Sequence, residues 1–291
     1  MSSTQVGFIG TGRMGEPMAG HLLAHGFQVT VYDVAPEPLE RLAQRGGHVA
    51  PSLEAAVQAG EVVIIMLPTD EALQGMADTL VDTMRPGTVL VDMSTSRLTT
   101  SRALGVRLAD KGVAMLDAPV TGGVGGAQQG TLSIMVGGDA LTFARCEPVL
   151  EAMASRVTHI GPAGHGLIAK YVNQMIMEST MAAIGEAFSF AAQAEVDTGR
   201  VYDAIKGGAA QSFVLDTSGA VVGRGDFGAG RELALHTKDG GYALAAAEAV
   251  GAWTPMTAAS HELFKLALWQ GQGDHSGAAL VRVYERARKR E

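Results

Sequence analysis

The 291-residue chain has a single cysteine, Cys146, which removes both an internal disulfide framework and a cysteine-built metal site from consideration. A small core or helix position is the expected place for it. Positive charge is also scarce, with 22 Lys and Arg against 30 Asp and Glu and a formal net charge of −8. Phosphate backbones are gripped by clustered cations, so a nucleic-acid partner is not expected. A basic group, Arg282, Arg286, Arg288, Lys289 and Arg290, crowds the last predicted helix, where cations offset the helix dipole. No apolar run approaches the ~20 residues of a bilayer span, so no membrane association is expected. The first predicted strand begins within a few residues of Met1, leaving no room for a secretory or transit segment. A cytoplasmic address is the corresponding expectation.

What is present is a globular composition, 47% hydrophobic and 18% charged, in a chain longer than a typical single domain. Its most informative stretch runs from Val6 to Asp33. Val6-Gly7-Phe8-Ile9 is a short apolar strand that leads into Gly10-Thr11-Gly12-Arg13-Met14-Gly15, a G-x-G-x-x-G turn. In this arrangement Gly10 permits the tight turn, Gly12 lets backbone approach a pyrophosphate, and Gly15 allows close packing of the following helix. Pro17 to Ala24 carries that helix, and Gly26 ends it. Gln28-Val29-Thr30-Val31-Tyr32 forms the second strand, closed by Asp33 at about the ~20-residue spacing of a ribose-binding acid. A nicotinamide dinucleotide is the ligand this layout implies. Val34, Ala35 and Pro36 follow Asp33 with no cation to meet a 2′-phosphate, which favours NAD over NADP.

Alternation of strand and helix patterns continues after Asp33 and predicts an α/β doubly wound parallel sheet over residues 1–162. Strands are expected at Val62 to Leu67, Thr88 to Met93, Ala114 to Asp117, Thr131 to Val136 and Arg156 to Ile160. Helices are expected at Glu37 to Arg45, Leu53 to Ala59, Glu71 to Met84 and Thr100 to Lys111. From Gly166 strand signals stop. Helical patterns over Leu167 to Ala194, Thr198 to Lys206, Arg231 to Val250, Thr257 to Gln270 and Ser276 to Arg290 predict an all-α domain over residues 163–291. Met175 to Ala194 reads as apolar nearly all round, as for a helix buried on most sides. Its methionines, Met175, Met177 and Met181, suit packing rather than ligation. A homodimer or homotetramer is expected from this apolar helical half.

Hydride chemistry requires a group that handles a proton, and Lys170 is the leading candidate. It lies at the start of the long helix, spaced i, i+3, i+4 with Asn173 and Gln174, so the three share a face. A lysine in a desolvated cleft has its pKa lowered and can exchange a hydroxyl proton near neutrality. The same spacing also suits a solvated polar stripe. The segment Thr121-Gly122-Gly123-Val124-Gly125-Gly126-Ala127 reads as a loop able to aim several N–H groups at one anion, a substrate carboxylate in this reading, or as a merely flexible loop. Lys238 and Asp239 read, taken singly, as a helix-surface ion pair.

As a set these residues resemble the β-hydroxyacid dehydrogenase family. The resemblance is carried by Gly7 to Ala19, Met66-Leu67-Pro68, Val91-Asp92-Met93-Ser94-Thr95, Asp117 to Gly123, Gly164 to Gln174, Lys238-Asp239 and Gly273-Asp274-His275-Ser276. It implies a reversible nicotinamide-linked oxidation of a β-hydroxy acid to its semialdehyde, with no metal required. It further implies Lys170 as acid/base, and Thr121, Gly122 and Gly123 on a small carboxylate substrate placed by Asn173 and Gln174. Leu67, Pro68 and Thr95 would line the dinucleotide. Lys238 and Asp239 would close the cleft from the helical domain, Lys238 serving the cofactor as well. Gln174 departs from the second Asn of many members, and Arg231 stands where an aromatic residue is frequent, which raises a substrate with a second anionic group. The rival readings are an imine-reductase-like or 6-phosphogluconate-dehydrogenase-like enzyme of the same architecture, and a dinucleotide-binding scaffold or sensor without catalysis.

Overall fold

The structure, a computed structural model, describes residues 4–224, 227–228, 230 and 232–287. Arg231, Arg288, Lys289 and Arg290 lie outside these residues. The chain divides into two compact units, Met1–Lys170 and Tyr171–Glu291.

The first unit is built on one sheet. Strands β1 (Gln5–Ile9), β2 (Gln28–Tyr32), β3 (His48–Val49), β4 (Val62–Ile65), β5 (Val89–Asp92) and β6 (Ala114–Asp117) lie in the order 3-2-1-4-5-6, all parallel. This is the order that creates a crevice beyond the carboxyl ends of β1 and β4. Beyond β6 the sheet departs from parallel pairing. β8 (Leu132–Gly137) runs antiparallel to β6 and to the two-residue β7 (Val120–Thr121), while β9 (Ala154–Gly161) pairs with β8 in parallel.

Alternate residues of the central strands feed two separate cores, as the period of two demands. Val6, Phe8, Val62, Ile64, Val89 and Val91 point to one face, and Ile9, Val63, Ile65 and Leu90 to the other. The all-apolar Val-Val-Ile-Ile of β4 is therefore buried on both sides, the usual state of an inner parallel strand.

Helices α1 (Gly15–Ala24), α2 (Pro36–Gln44), α3 (Leu53–Ala59), α4 (Asp70–Thr83) and α5 (Leu98–Ala109) connect the parallel strands. Several start on local signals. Ser52 accepts from the Ala55 N–H at 3.2 Å to begin α3, and Thr69 accepts from the Ala72 N–H at 3.2 Å to begin α4. Two further helices were not expected. The glycine segment after Thr121 is largely α6 (Gly123–Gln129) rather than a loop, and Cys146 lies buried in α7 (Ala140–Glu151), where burial pushes its thiol up to about 11.

The continuous helix α8 (His165–Gln193) contributes Lys170 as the last residue of the first unit. The second unit contains the rest of α8 together with α9 (Thr198–Ile205), a π-helical turn at Leu215–Gly219, α10 (Ala220–Arg224), α11 (Leu233–Ala249) and α12 (Pro255–Trp269). The expected helix over Ser276 to Arg290 is instead a 3₁₀ turn, Gly277–Val281, started by Ser276 Oγ on the Ala278 N–H, followed by α13 (Arg282–Ala287). Met181, Leu233, Phe264, Leu280 and Val283 share one core cluster of the second unit. Contrary to the reading of Met175 to Ala194 as apolar and buried on most sides, that part of α8 buries the polar Glu178 and leaves Ile176 and Phe190 exposed. Among the described residues no helix is long and apolar enough to cross a membrane.

Candidate active site

Three glycines shape the turn after β1, each differently. Gly10 has φ +90° and donates its N–H to Tyr32 O at 3.0 Å; a side chain there would strike the Met66 carbonyl. A Cβ on Gly15 would collide with the Gly10 carbonyl oxygen, so α1 begins pressed against the turn. Gly12 is open: a Cβ there meets no heavy atom within 4 Å. No protein neighbour demands its small size, and what an added methyl would fill is the cradle beside the α1 N-terminus, the place that suits a pyrophosphate. Arg13 is exposed and Met14 half-buried at the same turn.

Asp33 is held against this turn. Its carboxylate accepts the Thr11 N–H at 2.5 Å, the Thr11 hydroxyl at 3.3 Å and the Ala35 N–H at 2.9 Å. Glycine turn and acid thus form one assembly at the ends of β1 and β2, and this donor set fits a dinucleotide.

The turns after β4 and β5 are also tied together. Leu67 donates its N–H to Ser94 Oγ at 2.9 Å, which links the Leu67-Pro68 turn to the Ser94-Thr95 turn. Asp92, at the end of β5, accepts the Ser94 N–H at 2.9 Å and the Ser96 hydroxyl at 3.2 Å. Asp70 accepts the Arg97 N–H and the Thr100 hydroxyl, both at 2.8 Å. The carboxyl of Asp92 is fully buried. Burial pushes its pKa up to about 6 and the nearby Asp117 adds to the rise, with the Ser94 and Ser96 hydrogen bonds opposing both.

Lys170 reaches its position through β6. Asp117, opposite Asp92 in the sheet register, accepts the Gly164 N–H at 2.6 Å and the Leu167 N–H at 2.8 Å, clasping the start of α8. Burial raises the Asp117 pKa, and these backbone donors work against the rise. One turn further on, the buried Lys170 Nζ donates to the Val120 carbonyl at 2.8 Å. Lys170 is therefore not on a solvated stripe. Its bond to Val120 places it beside Thr121, Gly122 and Gly123, where φ values of +122° at Gly122 and +62° at Gly123 turn the chain from β7 into α6.

In the second unit, Asn173 Nδ2 donates to Gln174 Oε1 at 2.9 Å, and Gln174 Nε2 donates to Asp239 Oδ2 at 2.8 Å. Asp239 Oδ1 lies 3.1 Å from the Lys238 Nζ, which also sits 5.2 Å from the Tyr242 ring centroid. Asp239 and Gln174 are fully buried, so Lys238 and Asp239 are not the surface pair that their adjacency on a helix allowed. Asp92, Asp117 and Glu178 had no assigned role in the sequence reading. For the two aspartates a signal was available, since each closes an apolar strand at the carboxyl edge of the sheet. Glu178 gave none. Arg231 falls outside the described residues.

The comparisons with known proteins coincide with this geometry. Residues 5–161 match the family model described as the NAD binding domain of 6-phosphogluconate dehydrogenase. Residues 164–284 match that described as the NAD-binding domain of NADP-dependent 3-hydroxyisobutyrate dehydrogenase. A 3-hydroxyisobutyrate dehydrogenase of Pseudomonas aeruginosa is 36% identical over 284 residues, covering 94% of this chain and 95% of its own. The chain belongs to the β-hydroxyacid dehydrogenase family. Within that family, the 2-hydroxy-3-oxopropionate reductase of Escherichia coli is 35% identical, covering 97% of both chains. Among solved structures, a 3-hydroxyisobutyrate dehydrogenase of Mycobacterium tuberculosis, determined with L-serine, superposes with a TM-score of 0.87 at 34% identity, covering 96% of this chain and 98% of that one. As a β-hydroxyacid dehydrogenase the chain is an oxidoreductase that uses a nicotinamide dinucleotide.

Proposed function

We propose that this enzyme oxidises the primary hydroxyl of a short β-hydroxy acid, of the 3-hydroxyisobutyrate or glycerate type, to the semialdehyde, and runs the reverse reduction. The dinucleotide, when bound, accepts or supplies the hydride. Lys170 takes the hydroxyl proton at Nζ during oxidation and returns it during reduction, and its bond to the Val120 carbonyl orients the amine. Thr121, Gly122 and Gly123 hold the substrate carboxylate at the start of α6. Asn173 and Gln174 orient the hydroxyl, and Lys238 and Asp239 serve as further substrate contacts, Lys238 serving the cofactor as well. The observation that carries this reading is the burial of Lys170 with its Nζ held on the Val120 carbonyl, directly beside the Thr121 turn. Asp33 supports NAD over NADP, because its carboxylate offers an acceptor for a free 2′-hydroxyl and repels a phosphate.

The test follows nicotinamide absorbance with NAD or NADP and a panel of 3-hydroxyisobutyrate, 3-hydroxypropionate, glycerate, threonate, serine and hydroxymethylglutarate. NAD reduction on at least one acid is expected, falling about 10²- to 10⁴-fold in Lys170→Ala while NAD affinity holds. A variant of undiminished rate would overturn the assignment of Lys170.

The same reading includes a homodimer or homotetramer. Trp253, Trp269 and Phe190 are 92%, 84% and 73% exposed in the single chain, apolar surface that self-association would cover. Light scattering on the purified protein, with a monomer as the contrary result, tests it.

A further inference from the structure

We infer that Asp117 is a positioning residue for the proton-transfer step: its carboxylate fixes the start of α8 and thereby the place at which the Lys170 amine works. The inference rests on Lys170 being the acid/base. Both oxygens of Asp117 are engaged by main-chain donors of one segment, Gly164 N–H on Oδ1 and Leu167 N–H on Oδ2. Leu167 precedes Lys170 by less than one helical turn, so a displacement of that turn is carried directly to Nζ.

The surroundings press closely on the turn. A Cβ on Gly166 would strike the Met135 carbonyl and lie 2.8 Å from Gly137 N; one on Gly137 would lie 2.5 Å from Asp117 Oδ1 and 2.7 Å from Gly166 N. Three bare stretches of backbone, from β6, β8 and α8, are therefore packed around one carboxylate. Only a side chain with two acceptor oxygens satisfies both N–H groups. An amide offers one acceptor and turns its NH₂ toward the other donor. Asp117 holds main-chain N–H groups and acts through Lys170.

The geometry makes the effect separable from general damage. Asp117→Asn is expected to lower kcat by roughly 10- to 100-fold, the scale of an ångström-level misplacement of a catalytic group. KM and the dinucleotide Kd are expected to stay within about twofold of wild type. In the Lys170→Ala background the same substitution is expected to change kcat by less than about twofold, because the group it positions is gone. An Asp117→Asn enzyme with wild-type kcat overturns the inference, as does an equal loss in both backgrounds, which would mark a structural role. Lys170→Ala tested alone reports on the underlying reading: wild-type activity there defeats the base assignment, whatever Asp117 does. Asp117→Ser, which keeps one acceptor without the charge, substitutes if the amide variant is insoluble. Failure of both variants to fold would also overturn the inference, making Asp117 a requirement of folding.

Discussion

The two units hold their polar groups in different ways. In the first, Asp33, Asp92 and Asp117 stand at or just beyond strand ends and accept main-chain N–H groups from neighbouring turns. In the second, Asn173, Gln174, Asp239 and Lys238 are linked side chain to side chain between helices α8 and α11. Main-chain donors are placed by the sheet and tolerate many choices of neighbouring residue. Side-chain links depend on both partners. The first arrangement thus survives changes of neighbouring side chains, and the second is broken by a change at either partner.

Substitutions break this comparison in order of size. Gly15→Val is expected to cost the most, roughly 3 kcal/mol or more, because the added atoms meet a fixed carbonyl. Gly12→Val, three residues earlier, is expected to leave the melting temperature nearly unchanged while weakening NAD binding. Denaturant melts and NAD titration on the two variants check the pair. Equal destabilisation would show that the turn is constrained throughout.

Asp92 tests the strand-end carboxylates through pH. Its folded pKa, about 6, lies above the ordinary 3.8 of an aspartate, so the protonated form is the one the fold favours. The resulting stabilisation is complete below about pH 4 and is lost as pH rises through 6, an effect of about 3 kcal/mol. Asp92→Asn cannot titrate. Measured from pH 4 to 8, its stability is expected to gain on wild type as pH rises, and a constant gap would contradict the assignment.

Gln174→Ala probes the second unit. Losing its bond to the buried Asp239 removes a charge-assisted contact of about 1.5–2 kcal/mol, expected as a loss of stability of that size, and, with Gln174 orienting substrate as proposed, as a rise in substrate KM with smaller changes in NAD affinity. A change in NAD affinity of the same size would place the residue at the cofactor instead. The smallest effect is expected at the exposed Arg107–Asp78 pair, 2.6 Å apart, where Arg107→Ala shifts stability by less than about 1 kcal/mol. A thermal melt suffices to check it.

Much of the first unit was legible in local pattern. The Leu53 to Ala59 helix appears with the expected bounds, and the runs at Val62 and Thr88 each form strands two residues shorter than read. The two-residue β3 escaped because His48 and Val49 become a strand only by pairing with Thr30 and Val31. Helix α6 escaped because its glycines have poor helical propensity. It forms where Gly126 and Gly122 pack against Leu132, both positions leaving a Cβ only 3.3 Å from that side chain. In α8, nothing adjacent in sequence marked Glu178 as buried within an apolar run.

By itself the sequence determined the dinucleotide-binding unit, the alternation that builds its sheet, and the lysine at the head of the long helix. Each depends on residues within a few turns of one another, where steric and hydrogen-bonding rules act locally. The tertiary structure alone decided that Asp117 would clasp a turn some fifty residues away, that Lys170 would bond to Val120, and that Gln174 would meet Asp239. Those pairings arise when packing brings distant main-chain and side-chain groups out of water, where each buried donor and acceptor must find a partner.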